Sequence, residues 1–318
     1  MKYLLLLFFA LGRLFAGVSV VDMSPYGVDP RHYMKIRILD QRSLSYPNID
    51  GHHFFGISDL AYDSKKKRLY MVSDQKGKLF AFQARFGKKI EVLKPLYAVK
   101  LVGRGGKAFR RWRRDSEGMT LDRKGRLLIS FEGRPKIGRF DSRGRMKKAY
   151  RLPPKLLNAK NYRSRNKSLE SLALHPKYGL LTASEWPLKR DKAKDQTIYS
   201  LSGKEWHFKA EPDTSSAVVA IEVMDDGNLL VLERAYSGLS SPLVITLKKV
   251  WLKGCQKRGK RKRECRSEVL AKFSSSDGWH IDNFEGLAKV GKNRYVMVSD
   301  DNDNFFQRTL LVYFEVVG

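Results

Sequence analysis

"NFEGLAKVGKNRYVMVSDDNDNFFQRT" (Asn283–Thr309) carries Glu285 and Gly286 near one end, an apolar alternation through its middle, and Asp300, Asp301 and Asp303 near the other. It reads as two short strands around a Gly-Lys-Asn turn, a hairpin signature. The outline recurs upstream: "ISDLAYDSKKKRLYMVSD" at 57–74, "SEGMTLDRKGRLLISFE" at 116–132, "LESLALHPKYGLLTASE" at 169–185 and "VAIEVMDDGNLLVLE" at 219–233. The units start at Ser58, Glu117, Glu170, Ala220 and Glu285, giving spacings of 59, 53, 50 and 65 residues. A strand-built repeat near 50 residues, without helical periodicity, predicts an all-β chain folded as a β-propeller. Five hairpins predict five blades, and residues 17–56 or 235–280 leave room for a sixth. "TLLVYFEVV" ends the chain one strand short, so "HYMKIRILDQ" near the N-terminus is expected to complete that blade and close the ring. The alternative is a pair of packed sheets whose repeats are coincidental.

The polar ends of the hairpins carry the functional signal. Glu117 and Glu132, Glu170 and Glu185, and Glu285 and Asp300 are each fifteen residues apart. A hairpin with a central turn sets such residues opposite one another, roughly 5 Å apart at Cβ. The first and fourth units keep only the second member, Asp74 and Glu233. In a propeller the equivalent ends of the innermost strands gather around the axis on one face. Glu117, Glu132, Glu170, Glu185, Glu233, Glu285, Asp300 and Asp301 are therefore expected around one funnel. Their repulsion requires cations, arginines or raised pKa values. Calcium suits such an oxygen-rich set, and Arg134, Arg234 and Arg308 follow the same strand ends. The alternative role for Glu117, Glu170 and Glu285 is to accept backbone N–H bonds and lock one blade to the next. Gly118 and Gly286 suit a close backbone approach in either case.

The repeat residues also carry a resemblance. "DSEGMTLDRKGRLLISFE", "SLESLALHPKYGLLTASE" and above all Glu-Gly-Leu-Ala to Ser-Asp-Asp-Asn to Gln-Arg-Thr in the last unit resemble the phytase-like family, whose name denotes esterase-like activity of phytase. The likeness runs from about Phe55 to the C-terminus. It implies an exported propeller acting on carboxylic or phosphate esters. Glu117, Glu170, Glu285, Asp300, Asp301, Asn302 and Arg308 match its pattern. Ser171 departs from it where the motif has glycine, and the fourth unit is degenerate at Ala220.

The chain has 318 residues, with 62 Lys and Arg against 33 Asp and Glu, a formal net charge of +29. Its basic runs, Lys65–Arg68, Arg110–Arg114 and Lys257–Arg263, favour anionic partners or serve as a solvated surface. Aromatic platforms beside them are sparse apart from Trp112, which disfavours nucleic acid. Met1-Lys2, the apolar run to Leu11 and Ala16 predict a signal peptide over residues 1–16, a single domain over 17–318, and a periplasmic or secreted location. No segment reads as a transmembrane helix. Cys255 and Cys265 flank "QKRGKRKRE", and in an oxidising compartment they are expected to pair as a disulfide.

No G-x-S-x-G elbow, H-E-x-x-H or P-loop is present, and "GRGGK" at Gly103 is a weak phosphate-loop mimic. His52, His53 and His280 are candidate bases, His280 lying just before the fifth hairpin. Two functions remain open. One is a metal-assisted ester hydrolase with an anionic small-molecule substrate, using Glu117, Glu170, Glu285 or His280 as catalytic groups and Arg134, Arg234 and Arg308 as substrate contacts. Its cation would sit among Glu117, Glu132, Glu170, Glu185, Glu285, Asp300 and Asp301. The other is a non-catalytic propeller that binds an envelope component, with structural carboxylates.

Overall fold

The computed structural model describes residues 17–110, 113–164, 166–211, 216–236, 238, 241–258, 262–304 and 306–317. The expected signal peptide and Trp112 lie outside the described residues.

The chain is a five-bladed β-propeller. Blade 1 is built from Ile57–Asp63, Arg68–Ser73, Lys78–Phe86 and Ile90–Lys100, and blade 2 from Ser116–Leu121, Leu127–Phe131, Lys136–Phe140 and Met146–Tyr150. Blade 3 uses Leu169–His175, Gly179–Ser184, Asp195–Ser200 and Glu205–Lys209. Blade 4 uses Ser216–Val223, Leu229–Ala235, Val244–Val250 and Ser267–Ser274. Blade 5 joins Asn283–Gly291, Arg294–Asp300 and Thr309–Val316 to Ile36–Ser45, with Gly17–Val20 outside it. The N-terminal strand therefore closes the ring, as the unpaired last strand required. Residues proposed to hide a sixth blade instead form this closure and the outer strands of blade 4.

Alternation along each strand puts apolar side chains on both faces of each blade, and successive blades stack through them. The core is accordingly five wedges. Ala61, Val72, Ile129 and Phe131 fill the wedge between blades 1 and 2. Leu128, Leu172 and Tyr199 fill the next, and equivalent clusters follow around the ring. The innermost strands of successive blades are neighbours.

Two connections extend this plan. Between the outer strands of blade 4, Gln256–Arg258 and Lys262–Glu264 form a small hairpin. A Cys255–Cys265 disulfide closes its base. The hairpin adds in parallel to the edge of blade 3, where the Cys265 N–H donates to the His207 carbonyl at 2.7 Å. Asp59 joins three blades from within. Its buried carboxylate accepts the Met119 N–H of blade 2 at 2.6 Å, the Leu287 N–H of blade 5 at 3.0 Å and the Leu60 N–H at 2.8 Å. Asp59→Ala strands two interior N–H groups from neighbouring blades, each costing about 1–3 kcal/mol. A loss of about 3 kcal/mol in denaturant unfolding, the same in calcium and in chelator, is expected; a change below about 0.5 kcal/mol would remove Asp59 from this role.

Candidate functional site: an acidic axial cluster beneath a polar cleft

Each first strand carries a β-bulge at the same height. The register skips one residue at Ser58 in blade 1, Glu170 in blade 3, Val219 in blade 4 and Glu285 in blade 5, and slips around Glu117 in blade 2. A bulge re-aims a side chain that an ordinary strand would point into a wedge. The repeat unit of blade 4 thus aligns through Val219, not Ala220. The tight approach expected at the next position is real. A Cβ on Gly118 would lie 2.6 Å from the Ser171 carbonyl carbon, and one on Gly286 would lie 2.8 Å from the Asp59 Cα.

The bulge corrects the expected opposition of hairpin ends. Asp300 pairs with Asn283, two residues before Glu285, and Arg234 pairs with Ala217. The Glu132 N–H bonds the Asp115 carbonyl and the Glu185 N–H bonds the Ser168 carbonyl, both at 3.1 Å. The second-strand position is therefore occupied by Asp74, Glu132, Glu185, Arg234 and Asp300 around the ring. Glu233, expected in the funnel, falls one residue short and points away. It pairs with the buried Lys248 at 3.0 Å and accepts the Glu211 N–H. Period-two alternation makes a one-residue shift a change of face.

Around the axis the described residues present Asp74, Asp115, Glu117, Glu132, Glu170, Glu185, Glu285 and Asp300. The cluster divides by how it is compensated. On one side Arg234, 18% exposed, bridges Glu185 at 3.3 Å and Glu285, and also meets Asn283. Asn283 donates to Glu285 at 2.8 Å, and Lys167 stands 3.4 Å from Glu185. On the other side Asp115, Glu117 and Glu132 bring one oxygen each within 4.8 Å of one another. Lys136 and Arg114 both bear on Asp115 there, and Lys136 is occupied. Its ammonium donates to the Arg113 carbonyl and sits 3.7 Å from the Phe131 ring centroid and 4.4 Å from that of Phe109. Burial pushes this lysine down to about 7.

Glu170 lies between these sides. It is 8% exposed, and its Oε2 is buried without a hydrogen-bond partner among the described residues. Burial, then Glu132, Glu185 and Glu285, hold it well above the usual carboxylate range, while Arg234 opposes them. Glu117 is raised by burial and then by Glu170, Glu132 and Asp74. Neither Glu117 nor Glu170 accepts a backbone N–H among the described residues. The blade-locking alternative thus fits Asp59 better, and also Glu132, which takes the Ser168 N–H at 3.1 Å.

Burial and mutual repulsion raise Asp74 to about 7, Glu132 to about 8 and Asp300 to about 9. Their unfolded values are near 3.8 for aspartate and 4.5 for glutamate. A raised folded pKa contributes stability that is complete below the unfolded value and lost as pH rises through the folded one. In chelator, stability should therefore decline from about pH 4 to about pH 9. Melting temperatures across that range test this; a flat or rising profile in chelator would show that the acids do not share protons.

Other candidate residues are engaged elsewhere, although Asp301 still adds to the repulsion on Asp300. Asp301 is engaged structurally: it accepts the Gly56 N–H at 3.0 Å and the Thr309 hydroxyl at 2.9 Å, tying blade 5 to blade 1. Arg308 binds Asp282 at 3.1 Å and the His280 carbonyl at 3.0 Å. Arg134 is exposed. The His280 side chain is exposed and its electrostatic partner is Asp22, so it is not brought to the acids. Asp115, Asn283, Lys167 and Trp186 escaped the sequence reading. Asp115 and Asn283 were detectable, each standing two residues before a bulge glutamate in "DSEG" and "NFEG".

Over the Arg234 side opens a cleft of about 600 Å³, lined by Lys167, Glu185, Trp186, Arg234, Asn283, Asn304 and Gln307. A hollow of about 760 Å³ on blade 3, around Lys155, Lys204 and Trp206, contains none of the axial acids.

A family model described as phytase-like, esterase-like activity of phytase, matches residues 52–303, from the start of blade 1 through the last acidic loop. The chain belongs to the phytase-like family. The match covers all five bulges and both sides of the acidic cluster. Among solved structures, this phytase-like chain is similar to virginiamycin B lyase from Staphylococcus aureus, at 10% identity over 94% of this chain and 99% of that one, with a TM-score of 0.43. It is similar to a putative gluconolactonase at 11% identity over 93% and 96%, with a TM-score of 0.43. It is also similar to a PQQ-bound aldose sugar dehydrogenase from Streptomyces coelicolor at 12% identity over 94% and 98%, with a TM-score of 0.42. No curated protein sequence matches it.

Proposed function

We propose that this propeller is a metal-assisted hydrolase of carboxylic or phosphate esters, with the acidic cluster as its chemical centre. The carrying observation is the asymmetry of the cluster: Arg234 bridges Glu185 and Glu285 on one side, and three carboxylates converge within 4.8 Å on the other, where the described cations Lys136 and Arg114 bear on Asp115. The donor set fits a hard divalent ion. Oxygens ligating one calcium at 2.3–2.6 Å stand at most about 5 Å apart, and those of Asp115, Glu117 and Glu132 lie within 4.8 Å. When bound there, such an ion would supply electrophilic stabilisation of the developing oxyanion.

The chain's own groups do the rest. Arg234 and Asn283 face the cleft and orient the anionic or carbonyl head of the ester. Glu170, whose Oε2 has no partner among the described residues, takes the proton of the attacking water. A cation bound beside it would favour its ionised form, the form that general-base work requires. Hydrolysis of a generic aryl ester and aryl phosphate should require calcium and fall roughly 100-fold or more in Glu170→Gln. Calcium-dependent stability with no turnover of either substrate would leave a binding propeller.

We also assign the chain to an oxidising compartment outside the cytoplasm, on the charged start, the apolar run and the Cys255–Cys265 bond. Among the described residues no helix is long and apolar enough to cross a membrane. N-terminal sequencing of envelope-fraction protein should find residues 1–16 removed; an intact Met1 in the cytoplasm would refute the assignment.

A further inference from the structure

Residues of the last acidic loop, Asp301–Asn304 and Gln307–Arg308, border two clefts. Beside the polar cleft over Arg234 lies a second of about 610 Å³, walled by Leu44, Tyr46, Pro47, Phe54 and Phe55, and Asn304 and Gln307 line both. The wall is braced by aromatic packing. Tyr46 meets Phe54 edge-on at 5.9 Å, and the Phe55 ring is held by the His53 ring at 4.4 Å and the Lys78 ammonium at 4.2 Å. The two clefts differ in charge. Asp301 and Asp303 border the aromatic one, and its Arg308 is bound to Asp282. The polar cleft sets Lys167 and Arg234 against Glu185, whereas the aromatic one sets Arg308 against Asp301 and Asp303, so an anionic group is opposed less in the polar cleft.

We propose that the substrate is an amphiphilic ester. Its polar head lies against Arg234 and Asn283, and a single alkyl chain or aryl ring passes over Asn304 and Gln307 into the aromatic cleft. This rests on the reading of the polar cleft as the ester site, and it adds the chemical class of the substrate. Charge sets the orientation, since the reverse placement would bring the head to Asp301 and Asp303. Apolar walls set the selectivity, because each buried methylene multiplies affinity roughly fourfold.

Calorimetric titration of the full chain in calcium, with methyl phosphate and octyl phosphate as probes, tests the class without requiring turnover. Octyl phosphate should bind roughly 50-fold tighter or more. Two variants change the cleft in opposite senses: Phe55→Ala opens its wall and Ser45→Phe fills it. Both should reduce the octyl preference to within roughly fivefold, with methyl phosphate affinity unchanged as the check that the head site is folded. Equal affinity for the two probes overturns the proposal, as does a preference that survives both variants. No binding of either probe, with ester hydrolysis intact, also overturns it. An octyl preference lost in both variants, in a protein that hydrolyses no ester, upholds the amphiphile site and sinks the hydrolase.

Discussion

Calcium at a hundred times its dissociation constant should raise the melting temperature by about 5 °C, and Glu117→Gln should remove most of that gain. Binding at this excess stabilises the native state by about 2.7 kcal/mol, and for a chain of this size each kcal/mol is worth about 2 °C. The same variant should melt higher than wild type in chelator. Without an ion Glu117 is a buried acid crowded by Glu170, Glu132 and Asp74, and an amide relieves that repulsion while keeping the shape. The two opposite shifts separate a metal ligand from a structural glutamate, whose loss would destabilise the protein in both buffers. Identical wild-type melting in calcium and in chelator would eliminate the ion site.

Arg234→Leu should cost about 3–5 kcal/mol near neutral pH, the penalty for removing one partner of a buried ion pair. Glu185 and Glu285 would then face Glu170 with no guanidinium among them. The loss should shrink on acidification, because protonated carboxyls no longer need the cation. Adding Glu285→Gln to Arg234→Leu should recover part of it by removing one stranded charge. Denaturant unfolding at pH 5 and pH 8 provides the measurement. A loss equal at both pH values would mean that Arg234 acts through packing rather than charge.

The repeat made the architecture legible because each blade buries its own alternating pattern against its neighbours. Five polar-ended hairpins and one strand missing at the C-terminus were enough to expect about five blades, with a sixth left open, and to put His32–Gln41 in the last one, where the strand runs Ile36–Ser45. That acids would crowd the axis was legible for the same reason, since hairpin ends fall on one face. Arg234 and Glu233 show where this reading failed. Counting fifteen residues between hairpin ends assumed an unbroken ladder, and a bulge in each inner strand shifts the register by one. Arg234 consequently takes the axial position and Glu233 turns to Lys248.

The division of labour within the cluster was decided only by the tertiary structure. Composition and spacing determined a carboxylate-rich funnel that needed compensation. They did not determine that Arg234 of blade 4 reaches Glu185 of blade 3 and Glu285 of blade 5, leaving Asp115, Glu117 and Glu132 to converge elsewhere. Nor did they show that Asp301, identical in type to Asp300, is filled by donors from Gly56 and Thr309. Repetition along the chain sets which residue types reach the axis. Which of them meet depends on distances between blades far apart in sequence, and those distances arise only when the ring closes.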